Sequence, residues 1–122
     1  MRHISVALTT RQIRARTKTV TRRLGWTHLQ PGTLLQPVKK SRGLKKGERV
    51  EKIGRPIRVV RVSRERVSAL LANEPYGSLE VSREGFGGEL TPRMFVEFFC
   101  RTHRCRPSTY VTRIEFQHLE TL

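Results

Sequence analysis

Apolar and polar positions alternate near both ends of the chain and fall at helical spacing in its second half, which predicts a mixture of strands and short helices. Residues 3–8 place Ile4, Val6 and Leu8 on one side of a short half-buried strand. Thr9 and Thr10 then offer N-caps for a turn or so of helix through Arg16. Residues 17–23, Thr-Lys-Thr-Val-Thr-Arg-Arg, are dense in β-branched side chains and read as a strand or an extended active-site segment. In a flat strand Lys18 and Val20 would share one face, and Thr17, Thr19 and Thr21 the other. Pro31-Gly32 marks a turn before the apolar run Thr33 to Val38, a further strand.

Ile57 to Val62 sets Ile57 and Val59 against Arg58 and Arg61, a strand with a charged outer face. Ser63 is placed to cap a helix from Arg64 to Leu71, with Val67, Leu70 and Leu71 at helical spacing. Residues 73–90 are richer in glycine and suggest a short helix ending near Gly85. Thr91-Pro92 joins a cap to a proline at the first helical position, and Met94, Phe95, Phe98 and Phe99 supply an apolar stripe to about Arg101. Tyr110 to Leu119 alternates again as a last strand. Four or five strands and three short helices, without the regular alternation of a doubly wound sheet, predict an α+β fold built on a small mixed or antiparallel barrel. With neither a repeat nor a linker, residues 1–122 read as one domain.

Charge sharpens this picture. The chain carries 25 Lys and Arg against 10 Glu and no Asp, a net charge of +15. No acid precedes Glu48, whereas residues 1–47 hold 12 Lys and Arg, so nearly all the excess lies in one part of the chain. Such asymmetry predicts a polyanionic partner, with Arg14, Arg16, Arg22, Lys39, Lys40, Lys45 and Lys46 as phosphate contacts. Residues 39–47 form a basic hairpin or loop, either a phosphate clamp or a solvated turn. No apolar run approaches the ~20 residues that span a bilayer, and no signal-like stretch opens the chain, so a soluble cytoplasmic protein without a membrane partner is expected. Cys100 and Cys105 are expected to be reduced.

The absence of Asp excludes Asp-based metal clusters and Ser-His-Asp triads, and there is no phosphate-binding glycine loop. Cys100-x-x-His103-x-Cys105 groups three soft ligands without a fourth, and Cys100 falls on the apolar side of a helix, so neither a metal nor a cofactor is expected. More informative is Lys18 among Arg14, Arg16, Arg22 and Arg23. Like charges and burial both disfavour an ammonium, and a neutral lysine can serve as a base for a hydroxyl such as that of Thr21. Residue by residue, though, a basic strand on a binding surface is the stronger reading.

Arg16-Thr-Lys18-Thr-Val-Thr-Arg-Arg23 resembles the Gly-x-Lys-x-x-x-x-Arg motif of the ASCH domain family, within the PUA-like superfamily, with Lys18 and Arg23 matching and Arg16 in place of the glycine. Pro31-Gly32, Arg83 to Phe86, Thr91-Pro92 and Ile114 to Phe116 extend the similarity over nearly the whole chain, most closely to short basic ASCH proteins of phages and their bacterial hosts. The resemblance implies a small PUA-like β-barrel flanked by helices and, from one branch of the family, amide hydrolysis of N4-acetylcytidine. It makes Lys18 the general base, Thr21 the nucleophile and Glu84 the proton shuttle, with Arg23 orienting the carboxylate or substrate. Thr19 and Trp26, beside this motif, are further candidate substrate contacts. The partner would be RNA or a modified nucleoside, with DNA the less favoured polymer. The alternative is an RNA-binding module with a basic cleft, Trp26 stacking on a base, and no turnover.

Overall fold

The structure, a computed structural model, describes residues 1–119. Five strands form one mixed sheet in the order β1-β3-β4-β5-β2. These are β1 (Arg2–Ser5), β2 (Val20–Arg23), β3 (Leu34–Val38), β4 (Ile57–Arg66) and β5 (Tyr110–His118). β1 runs parallel to β3, and the other pairings are antiparallel. The helices are α1 (Thr10–Arg14), α2 (Ala69–Ala72), α3 (Glu74–Val81) and α4 (Pro92–His103). The α+β class therefore holds, but the expected closed barrel does not, because β1 and β2 remain unpaired with each other as edges of the sheet.

The sheet is anchored by the long β4–β5 pair, which runs from Ile57↔His118 to Arg66↔Tyr110 and shifts register between Val59 and Arg61. This pairing overrides the helix expected over residues 64–71. Arg64, Glu65 and Arg66 instead continue β4 opposite Thr112, Val111 and Tyr110, and helix begins only at Ala69. Ladder bonds along a central strand outweigh the local helical spacing. The basic residues 39–47 form turns and bends, in a loop closed at its base by the bridge Val38↔Lys52 and by the Lys39 N–H on the Glu51 carbonyl.

Two apolar clusters fill the domain. One joins Ile4, Leu35, Ile57, Val59, Ile114 and Phe116 of the sheet to Ile13 of α1. The other packs Phe95, Val96 and Phe99 of α4 against Val67, Leu70, Val81 and Val111. Burying each such side chain contributes about 1.5–3 kcal/mol. α4 starts where the sequence indicates, since Thr91 Oγ1 accepts from the Met94 N–H, and it ends at Arg104 in a left-handed conformation. α3 begins likewise with Asn73 accepting from the Tyr76 N–H, and a π-helical turn over Ser82–Phe86, bent at Gly85, follows it.

That turn positions the site. Gly85 stands at φ 103°, and a Cβ there would lie 2.9 Å from Gln12 Cγ and 3.4 Å from Lys18 Cβ. Only glycine both adopts the angle and lets the turn close onto α1 and the Lys18 segment.

Candidate functional site

Residues from both edges of the sheet line one cavity of about 190 Å³: Ser5 from β1, and Thr21, Arg22 and Arg23 from β2. The sheet thus curls, and the cavity occupies the gap between its edges. Phe86, Phe95, Phe98 and Phe99 give it an aromatic wall, while Lys18, Glu84 and His103 add polar groups.

Lys18 is 2% exposed, and its ammonium donates to Glu84 Oε1 at 2.8 Å and to the Glu84 carbonyl at 2.9 Å. Burial pushes the Lys18 pKa down, against the opposing pull of Glu84, and the nearby Arg23 and Arg22 push the same way as burial. Lys18 lies before the start of β2, held by a hydrogen bond between His118 Nε2 and its carbonyl at 2.7 Å. The flat-strand separation of Lys18 from Thr21 therefore does not apply, and both line the cavity. Thr21 Oγ1 accepts from Arg23 Nε at 3.1 Å.

Glu84 is held from its other side. Arg22 Nη1 donates to Glu84 Oε2 at 3.0 Å, while its Nη2 donates to Glu65 and Glu80, each at 2.6 Å. Arg113 of β5 also binds Glu80, through Nε and Nη2, and Tyr76 donates to Glu65 Oε2 at 2.7 Å. Among the described residues, no buried side-chain polar atom lacks a hydrogen-bond partner. Burial alone would raise the Glu80 carboxyl, but its hydrogen bonds from Arg113, Arg83 and Arg22 hold it at about 2. The result is a rigid, fully paired ionic layer that fixes one Glu84 oxygen and leaves the other on Lys18.

The remaining expected residues are dispersed. Arg22 is 2% exposed inside this layer, so it is not the phosphate contact expected from its place in a basic run. Trp26 packs against the first apolar cluster with the Arg2 guanidinium 3.8 Å from its ring centroid, and it does not line the cavity as expected for a substrate contact. Thr19 serves the main chain, its N–H on the Arg83 carbonyl and its own carbonyl accepting from Phe116, and it does not line the cavity either. Lys39, Lys45 and Lys46 are exposed on the loop, where Lys40 pairs with Glu48 at 3.3 Å. Arg14 and Arg16 line a different cavity.

His103 was not singled out by the sequence as a member of this site. Its ring lies 4.2 Å from that of Phe99, centroid to centroid, and burial and Arg23 push its pKa down, so the imidazole is neutral near pH 7. Its position four residues after Phe99 continues the helix stripe, which was the available signal. Cys100 and Cys105 pack against the second apolar cluster, and burial, then Cys105, raise the Cys100 thiol to about 11. Among the described residues, no three His, Cys or Glu side chains group closely enough to hold a metal, and no helix is long and apolar enough to cross a membrane. No family model, curated protein or solved structure matches the chain.

Proposed function

We propose that the protein is an amidohydrolase for N4-acetylcytidine or a closely related acylated nucleobase, on a PUA-like curled sheet of the ASCH type. One observation carries this reading: the buried Lys18–Glu84 pair at 2.8 Å shares an aromatic-walled cavity with the Thr21 hydroxyl. The cavity is smaller than the roughly 300–1,000 Å³ typical of drug-sized ligand clefts and suits a single heterocycle lying against phenylalanine rings. The ASCH resemblance supplies the amide substrate.

The chemistry follows from the arrangement. Neutral Lys18 accepts the Thr21 proton as Thr21 Oγ1 attacks the acyl carbon and forms a C–O bond. The C–N bond then breaks, and the proton passes through Lys18 and Glu84 to the leaving exocyclic nitrogen. Water, deprotonated by Lys18, cleaves the resulting threonine ester and releases the carboxylate. Arg23, bonded to Thr21 Oγ1, orients the hydroxyl, and neutral His103 offers the base a hydrogen-bond partner.

Incubation with N4-acetylcytidine should release cytidine and acetate. Thr21→Ala should reduce the rate about 10³-fold while leaving the far-UV spectrum unchanged. A Thr21→Ala variant with full turnover would remove the threonine from the mechanism. The exposed cations Arg14, Lys39, Lys45 and Lys46 favour a second reading, RNA binding without turnover, in which affinity falls steeply with salt.

A further inference from the structure

The β4–β5 pair ends in a cluster that the first cavity, that of Lys18 and Thr21, does not use. Tyr110 opens β5 directly opposite Arg66 of β4, and Arg64 stands two residues back along the same face. The Arg66 guanidinium lies 4.7 Å from the Tyr110 ring centroid and that of Arg64 5.9 Å, so two cations converge on one ring. The ring is 51% exposed, and both arginines are exposed with it. The strand sorts its charges by face. Glu65, between the two arginines, points to the opposite side of the sheet, where Arg22 and Tyr76 hold its carboxylate in the ionic layer. The acid of the Arg64-Glu65-Arg66 run is thereby engaged inside, and both cations are presented outside.

A second arginine–aromatic pair borders the first. Thr112, on the Tyr110 face of β5, donates its hydroxyl to the Gly25 carbonyl, which brings Trp26 to the edge of the cluster. There the Arg2 guanidinium lies 3.8 Å from the Trp26 ring centroid. Arg66 Nη1 also donates to the Ser108 carbonyl at 3.2 Å, fixing the turn before Tyr110, in which Arg106 is exposed. Rings and guanidinium groups side by side on one surface suit a polymer in which planar bases and phosphates alternate. A base stacks on a ring or a guanidinium plane while the arginine charge meets a phosphate. Stacking of this kind needs unpaired bases, which RNA offers in its loops, bulges and single strands. The net charge of +15 complements that polymer.

We propose that this face is a docking surface for single-stranded RNA, with Tyr110 as a stacking platform and Arg64 and Arg66 as phosphate contacts. It is separate from the first cavity and holds whether or not that cavity turns over an acylated base. The test is fluorescence anisotropy of a labelled single-stranded oligoribonucleotide, titrated with wild type and variants at several salt concentrations. Tyr110→Ala removes the ring without changing the charge, and Tyr110→Phe keeps the ring. Arg64→Ala/Arg66→Ala is compared with Lys45→Ala/Lys46→Ala, which removes the same charge from the exposed loop. Circular dichroism checks that each variant is folded. Should Arg64→Ala/Arg66→Ala not be, Arg64→Ala and Lys45→Ala form the charge-matched pair.

Tyr110→Ala should bind about tenfold more weakly at an unchanged salt slope, and Tyr110→Phe should bind as wild type does. The strand double variant should bind at least about tenfold more weakly than the loop double variant, with a salt slope shallower by about 0.7 for each phosphate it no longer engages. A duplex of the same sequence, its bases paired, should compete poorly. Full affinity in Tyr110→Ala, equal weakening in the two charge-matched variants, or equal competition by the duplex would each overturn the proposal. So would a wild type that binds no RNA, or one that binds the same sequence more tightly as single-stranded DNA. Turnover of free N4-acetylcytidine should be unchanged in Tyr110→Ala. A wild type that binds RNA through this face but hydrolyses nothing would sink the hydrolase reading alone.

Discussion

The chemistry proposed for the first cavity turns on the proton of Lys18. Below its lowered pKa the side chain is an ammonium on Glu84 and cannot accept the Thr21 proton; above it, the amine can. The rate of hydrolysis should therefore rise with pH through the Lys18 ionisation and then level off, as a pH profile of kcat would show. Lys18→Arg keeps its charge throughout that range and should be inactive across the profile. Glu84→Gln should retain binding but lose turnover, since it can still accept from Lys18 yet carries no proton to the leaving nitrogen. Lys18, Thr21 and Arg23 could be gathered from the sequence because motif spacing ties them together, whereas Glu84 came only through the family resemblance. His103 was missed because its only signal, a place four residues after Phe99 on the helix stripe, marks a helix face and not a cavity. Arg22 misled for a related reason: a run of cations reads as surface until its carboxylate partners, 43 to 62 residues away, are placed against it.

At the scale of elements, the π-helical turn after α3 does what no single residue does. It brings Glu84 to the Lys18 segment, and it closes only because Gly85 has no side chain. Gly85→Ala should lower stability by about 1–3 kcal/mol, both from the positive φ and from contact with Gln12, and should reduce turnover more than a neutral surface substitution. A denaturant midpoint measured beside kcat separates the two effects. Strong local signals located the elements well, as with Thr91 and Pro92 at the head of α4. Residues 64–66 show the limit of such reading. Their helical spacing was real, but β4 gains a full row of cross-strand bonds to β5 by continuing, and that long-range partner has no mark in the local sequence.

At the scale of the molecule, an α+β domain was legible, but a closed barrel was not the outcome. Closure depends on whether β1 and β2 meet; they remain unpaired edges of the sheet, and residues of both line the first cavity. The ionic layer beside it makes the fold sensitive to acid. Glu80 titrates near 2 in the folded chain against an ordinary value of 4.5. Its contribution, about 3 kcal/mol, is present above the unfolded value and is lost as pH falls from there toward 2. Urea midpoints should drop across that window, and Glu80→Gln should be less stable at pH 7 yet fall less steeply. The central claim is acyl transfer at Thr21, and mass spectrometry of the protein quenched during turnover of N4-acetylcytidine tests it most directly. The account predicts one acetyl group on Thr21, absent in Thr21→Ala, together with cytidine and acetate released at a rate that Thr21→Ala lowers about 10³-fold. Absence of acetate from the free nucleoside and from acetylated RNA alike would contradict it.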